Sequence, residues 1–173
     1  MRDIDLLLRR LAVTQFIVEQ LEDTGKIKIQ KILYFLQEAI GLPLQYRFRM
    51  HHYGPFSEDI ENDISVLQAI GSIKVVPDQE GYGYHVTPTS EEKIPWDNEI
   101  QKSKEKITQV VNLLKELEAR DLELYATVHF VQNLLEDPSK EQVLNTVSRV
   151  KPQFSRDTIL EAYDLLIKAE LIH

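Results

Sequence analysis

Side chains able to do chemistry are densest in YRFRMHHYGPFSEDIENDI, residues 46–64, which holds two adjacent histidines, a Tyr-Gly-Pro turn and a run of carboxylates. Metal ligation and general acid–base work are the chemistries such residues could perform. Strand geometry argues against the first. Neighbouring side chains on a strand point to opposite faces, so His51 and His52 cannot hold one ion together. No His-x-x-x-His or His-Glu-x-x-His spacing occurs anywhere in the chain. The chain also has no cysteine, which excludes disulfides, thiol catalysis and sulfur-ligated zinc. No metal site is expected. The acids have a simpler reading. Ser57 can cap a helix, and Glu58, Asp59 and Glu61 then fall in its first turns, where the helix dipole favours negative charge.

His129, in YATVHFVQ, lies on the same segment as Glu123 and Thr127. A general base could look like this; so could a core histidine bonded to a neighbouring carbonyl or hydroxyl, and the second is the expectation. The glycines of GYGYH, residues 81–85, follow a turn and lead into a strand, whereas phosphate cradles open a helix. Neither a nucleophile elbow nor a Walker pattern is present. These absences lead to the expectation of a protein that is not an enzyme and takes no cofactor.

A surface for a protein partner or for nucleic acid could be built from Lys26, Lys28, Lys31, Arg47, Arg49 and His51. The whole chain, with 20 basic and 28 acidic residues, carries a net charge of −8. Phosphate neutralisation dominates nucleic-acid affinity, so this balance favours a protein partner and leaves nucleic acid possible.

The elements that would position these residues follow from periodicity. Apolar residues at helical spacing predict helices over 4–22 and 27–39, ended by Gly25 and by Gly41 with Pro43. Alternation over 46–53 predicts a strand, with Tyr46, Phe48, Met50 and His52 on one face and Arg47, Arg49, His51 and Tyr53 on the other. Gly54-Pro55 is expected to break it. A helix over 57–70 and a hairpin of 73–76 with 82–87 come next. Helix, helix, strand, helix, hairpin is the order of a winged helix-turn-helix. The polar stretch PTSEEKIPWDN, 88–98, reads as a linker. Beyond it the chain is helical. Residues 122–135 are apolar on most sides, which predicts a central helix. Ser139 with Gln142 forms a capping-box pattern, and Ser155 caps a last helix.

The expectation is a mainly α protein with a small antiparallel sheet. A winged-helix-like part, 1–90, is followed by a helical part, 91–173, packed against it. The N-terminus has no signal-peptide pattern and no apolar run reaches the roughly 18 residues of a membrane span, so a cytoplasmic protein away from membranes is expected. The apolar helices after residue 99 would allow a homodimer.

Three stretches, KIKIQKILYFLQEAI (26–40), residues 46–64, and LELYATVHFVQNLL (122–135), resemble the YwgA-like family of uncharacterised bacterial and archaeal proteins. The likeness is carried by Lys26 or Lys28 leading to Gln30, Lys31, Ile32, Leu33 and Tyr34, and by the turn Tyr53, Gly54, Pro55, Phe56 and Ser57. Residues 26–76 are also distantly similar to the Panacea domain of prokaryotic antitoxins and of a proteolysis adaptor. That resemblance implies binding of a protein partner. A regulatory or adaptor protein on a winged-helix-like scaffold is therefore expected, with a DNA-binding regulator as the alternative.

Overall fold

A computed structural model describes residues 3–89 and 92–173. In chain order the elements are α1 (Asp3–Leu21), α2 (Lys26–Glu38), β1 (Arg49–His51), β2 (Gly54–Phe56), α3 (Glu58–Ala69), β3 (Ile73–Pro77), β4 (Tyr84–Pro88), α4 (Asn98–Lys102), α5 (Lys104–Lys115), α6 (Ala119–Leu134), α7 (Lys140–Val150) and α8 (Arg156–Lys168). The molecule is mainly helical, as the periodicity indicates, with two separate two-stranded antiparallel sheets, β1–β2 and β3–β4. The order is compatible with a winged helix. The β3–β4 hairpin is tied to the turn between α1 and α2, where Thr24 and Val86 exchange both backbone hydrogen bonds at 3.1 and 2.8 Å.

One cluster of buried apolar side chains runs from α1 to α8. Ile29, Ile32, Leu33 and Leu36 of α2 are fully buried, and each such side chain is worth about 1.5–3 kcal/mol relative to exposure. α6 is apolar nearly all round because it is enclosed: it packs on α2, β2, α7 and α8. Among the described residues no helix is long and apolar enough to cross a membrane.

Several expectations need correction. The strand expected over 46–53 is only three residues long, and Gly54-Pro55 does not end the pairing but begins β2, with His51 opposite Gly54 and Arg49 opposite Phe56. Alternation of exposed and covered residues holds from Tyr46 to His51 and stops there, since His52 and Tyr53 are both exposed in the turn. Gly54 sits at φ +84°, which a glycine tolerates. Ser57 precedes α3, but its side chain makes no capping bond, and its buried hydroxyl has no partner among the described residues. Ser139 and Ser155 do cap: the first forms a full capping box with Gln142, and the second accepts from the Thr158 amide.

The stretch read as a linker is held down where it is described. Gln15 on α1 donates to the Glu92 carbonyl at 3.1 Å and accepts from the Ile94 amide at 2.8 Å. Trp96 meets Phe16 edge-on, and Arg9 donates to Asp97 at 2.7 Å. Ser90 and Glu91 lie outside the described residues.

Candidate functional site

The three stretches that carry the family resemblance converge on one place. α2 lies against the 53–57 turn, and the two motifs bond to each other. Gln30 uses its side-chain amide as a strand would use its backbone, donating to the Ser57 carbonyl at 2.9 Å and accepting from the Ser57 amide at 3.0 Å. Lys31, one residue on, donates to the Pro55 carbonyl at 2.6 Å. From the other side, Lys151 at the end of α7 donates to the His52 carbonyl at 2.5 Å and to Glu123 Oε1 on α6 at 2.6 Å. Gly54 sits so close to α6 that a Cβ there would be 3.1 Å from Thr127 Oγ1 and 3.2 Å from the Glu123 carbonyl. The hairpin turn is thus clamped between two lysines and one carboxylate, all nearly excluded from water.

Burial shapes the electrostatics. Desolvation lowers the Lys31 pKa to about 8, although Glu123 nearby pulls it up; Lys151, a like charge, lowers it further. With both lysines protonated the cluster holds one positive charge more than negative. Beside it opens a pocket of about 310 Å³, lined by Ile27, Tyr53, Arg120, Glu123 and Phe154 among others. Tyr53 is half-exposed and Phe154 is buried, with the Arg120 guanidinium 4.9 Å over the Phe154 ring. Glu123 thus joins the buried cluster to the pocket: one oxygen is bonded to Lys151, and the other makes no hydrogen bond among the described residues.

The residues proposed as a charged surface scatter. Lys31 is not at the surface at all; its ammonium turns inward because the Pro55 carbonyl and Glu123 lie there. Lys28 donates to the Lys115 carbonyl at 2.7 Å. Lys26 pairs with Glu61 at 3.1 Å and lies over the Tyr84 ring. Arg47 and Arg49 are exposed, and each stands 3.5 Å from a carboxylate of α3, Asp59 and Glu58 respectively. His51 is exposed beside the Phe56 ring.

His129 belongs to a different constellation. It is buried, with Nδ1 2.8 Å from the Tyr34 hydroxyl and 3.2 Å from the Asn133 amide. Burial lowers its pKa to about 4, so it is neutral over the physiological range. Thr127 turns away and bonds its own helix at the Glu123 carbonyl. The expected core histidine is found, with Tyr34 as its partner.

Lys151 is the residue that sequence reasoning left out of a site, and Glu123 entered it only as a neighbour of His129. The signal for Glu123 was a carboxylate at an interior position of the apolar helix, since such a group is almost never buried unpaired. Lys151 gave no comparable signal, because it stands at a helix end where lysine is common.

No family model matches the chain. The chain is similar to the uncharacterized protein YwgA of Bacillus subtilis (strain 168), with 27% identity over 135 residues, 75% of this chain and 78% of YwgA. The resemblance to YwgA-like proteins read from the motifs therefore stands. The chain is also similar to the DNA ADP-ribosyl glycohydrolase of Thermus aquaticus (strain ATCC BAA-2747 / Y51MC23), with 28% identity over 153 residues. That match takes in 85% of this chain but spans only 42% of the glycohydrolase. The expectation of a non-enzymatic protein does not stand: most of the chain is similar to part of an enzyme. Motif absence misled here, because short catalytic signatures mark only some reaction classes.

Proposed function

We propose that this chain takes part in removing ADP-ribose from DNA, as a unit that binds a protein component of that reaction. The observation that carries this reading is the unequal coverage. Most of the chain is similar to less than half of a DNA ADP-ribosyl glycohydrolase, so it resembles one unit of such a protein, a unit that would work against the remaining part whether or not the two share one polypeptide. The negative net charge and the carboxylates beside Arg47 and Arg49 favour a protein partner over a duplex.

The test uses a DNA oligonucleotide carrying ADP-ribose. Release of ADP-ribose is followed for this chain alone, for the remaining part of such a glycohydrolase alone, and for the two together, with complex formation measured by calorimetry. A complex and a changed rate of release are expected. If no complex forms and release is unaltered in every combination, the reading fails.

A further inference from the structure

The pocket beside the buried Lys31–Glu123–Lys151 cluster is built for more than clamping a turn. Clamping accounts for the two ammonium groups, which bond the carbonyls of Pro55 and His52, and for Glu123 Oε1. It does not account for the second oxygen of Glu123, which belongs to a residue only 7% exposed that also lines the pocket. Nor does it account for Tyr53. This ring is 51% exposed at the pocket's edge, although a turn position asks only for a polar or small residue.

We propose that this pocket binds the amino-bearing nucleobase of a nucleotide, adenine being the type case. The base stacks on Tyr53 with Phe154 beneath as the apolar floor, its amino group donates to the Glu123 oxygen that is not bonded to Lys151, and Arg120, which lies over Phe154, meets the phosphate. Three features argue together. Aromatic walls suit a flat heterocycle, since stacking on an aromatic side chain is tolerant of sequence and worth most in a partly dry site. A carboxylate accepts only, so it selects a ligand edge with N–H donors and disfavours one with acceptors alone. The positive excess of the cluster, with Arg120 at the rim, suits a ligand that carries an anion. A volume of about 310 Å³ is at the lower end for small-molecule sites, which run from about 300 Å³; it fits one nucleotide rather than two. The inference goes beyond the protein-binding reading and does not depend on it, because the nucleotide is tested against the chain alone.

The experiment is a set of calorimetric or NMR titrations of the full chain. The probes are adenosine monophosphate, ribose 5-phosphate, which lacks the base, and purine riboside monophosphate, which lacks only the amino group. Adenosine monophosphate is expected to saturate and to bind about tenfold more tightly than either comparator, as expected for one stacked and hydrogen-bonded base. Tyr53→Ala should weaken it about tenfold through loss of stacking. Arg120→Ala should weaken the monophosphate while leaving adenosine unchanged. Glu123→Gln keeps its carbonyl oxygen on the Lys151 ammonium and so turns an N–H₂ donor towards the pocket, which should abolish the preference for the amino group; circular dichroism checks that this buried variant is folded. Tyr53 is exposed, so its variant keeps the test open even if Glu123→Gln does not fold. Equal binding of the three probes, or an unchanged affinity in Tyr53→Ala, would overturn the proposal.

Discussion

At the scale of single residues the interior charges decide most. Lys31 holds its proton against desolvation, with a pKa brought down from 10.5 to about 8. The folded state therefore binds fewer protons than the unfolded chain between those two values, and stability rises with pH across that window. The contribution is fully present above pH 10.5 and is lost as pH falls through 8, a swing of roughly 3 kcal/mol from one pKa unit being 1.36 kcal/mol. Denaturant midpoints of the wild type and Lys31→Met, compared from pH 7 to pH 10, should show the wild type gaining on the variant. Parallel curves would mean that Lys31 is not strained by burial. At pH 7 Lys31→Met should still be destabilised by about 1–3 kcal/mol, because the Pro55 carbonyl loses its donor.

Asp63 gives the opposite sign. It accepts from the Tyr46 hydroxyl at 2.8 Å, and desolvation raises its pKa from 3.8 to about 6 despite that bond and the Arg10 charge. The folded state then binds more protons than the unfolded chain between 3.8 and 6, so stability falls as pH rises through that range. Asp63→Asn keeps an acceptor for Tyr46 and removes the buried charge. It should stabilise the protein at pH 7 by about 2 kcal/mol and make no difference near pH 3.5. Chemical denaturation at the two pH values checks this; a destabilised variant at pH 7 would show that Arg10 outweighs the desolvation.

At the scale of elements the hairpin turn and the helix caps carry the argument. Gly54 and Gly71 both have positive φ, +84° and +77°, but only Gly54 has α6 against it. Gly71→Ala should cost about 1 kcal/mol, from backbone strain alone. Gly54→Ala adds a collision with the α6 backbone and should cost about 2 kcal/mol more, a gap measured by thermal melts of the two variants. Caps give a second contrast. Ser139→Ala should lose about 1 kcal/mol with its capping box, whereas Ser57→Ala should be neutral or slightly stabilising, since the buried Ser57 hydroxyl has no partner among the described residues.

These elements also show how far the chain could be read in advance. Helices α1, α2, α3, α6, α7 and α8 were legible because period 3.6 is a local property, Gly and Pro mark several of their ends, and Ser57, Ser139 and Ser155 precede three of their starts. The end of β1 was not. Gly54-Pro55 reads locally as a breaker, but Lys31, Gln30 and Lys151, distant in sequence, hold the chain extended through it. The candidate site fared likewise. The motif residues 53–57 were visible, while their partners Glu123 and Lys151 depend on how α6 and α7 pack. A lysine at 31 reads as a surface cation until the fold turns it inward.

At the scale of the whole molecule, the distribution of charge decides what the surface attracts. Arg49 and His51 on β1 and Arg47 just before it are exposed, and by themselves they would draw phosphate. The first turn of α3 sets Asp59 beside Arg47 and Glu58 beside Arg49, while Glu61 pairs with Lys26. The two arginine pairs are long and solvent-exposed, so each adds little to stability. Their effect is on the field: the carboxylates cancel the arginines within about one Debye length, roughly 8–10 Å at physiological salt. The chain as a whole carries a net charge of −8, which further disfavours phosphate. Duplex DNA should accordingly show no binding to the wild type in fluorescence anisotropy at about 100 mM salt. Removing the two carboxylates in a Glu58→Gln, Asp59→Asn double variant should uncover the arginines and produce weak, sequence-independent binding whose affinity falls steeply with salt, with a slope set by about two released counterions. Helix α3 keeps Glu61 in its first turn, so the fold should survive the change. Salt-steep binding already in the wild type would show that the hairpin's cations are free to act, and would return the DNA-binding alternative to first place.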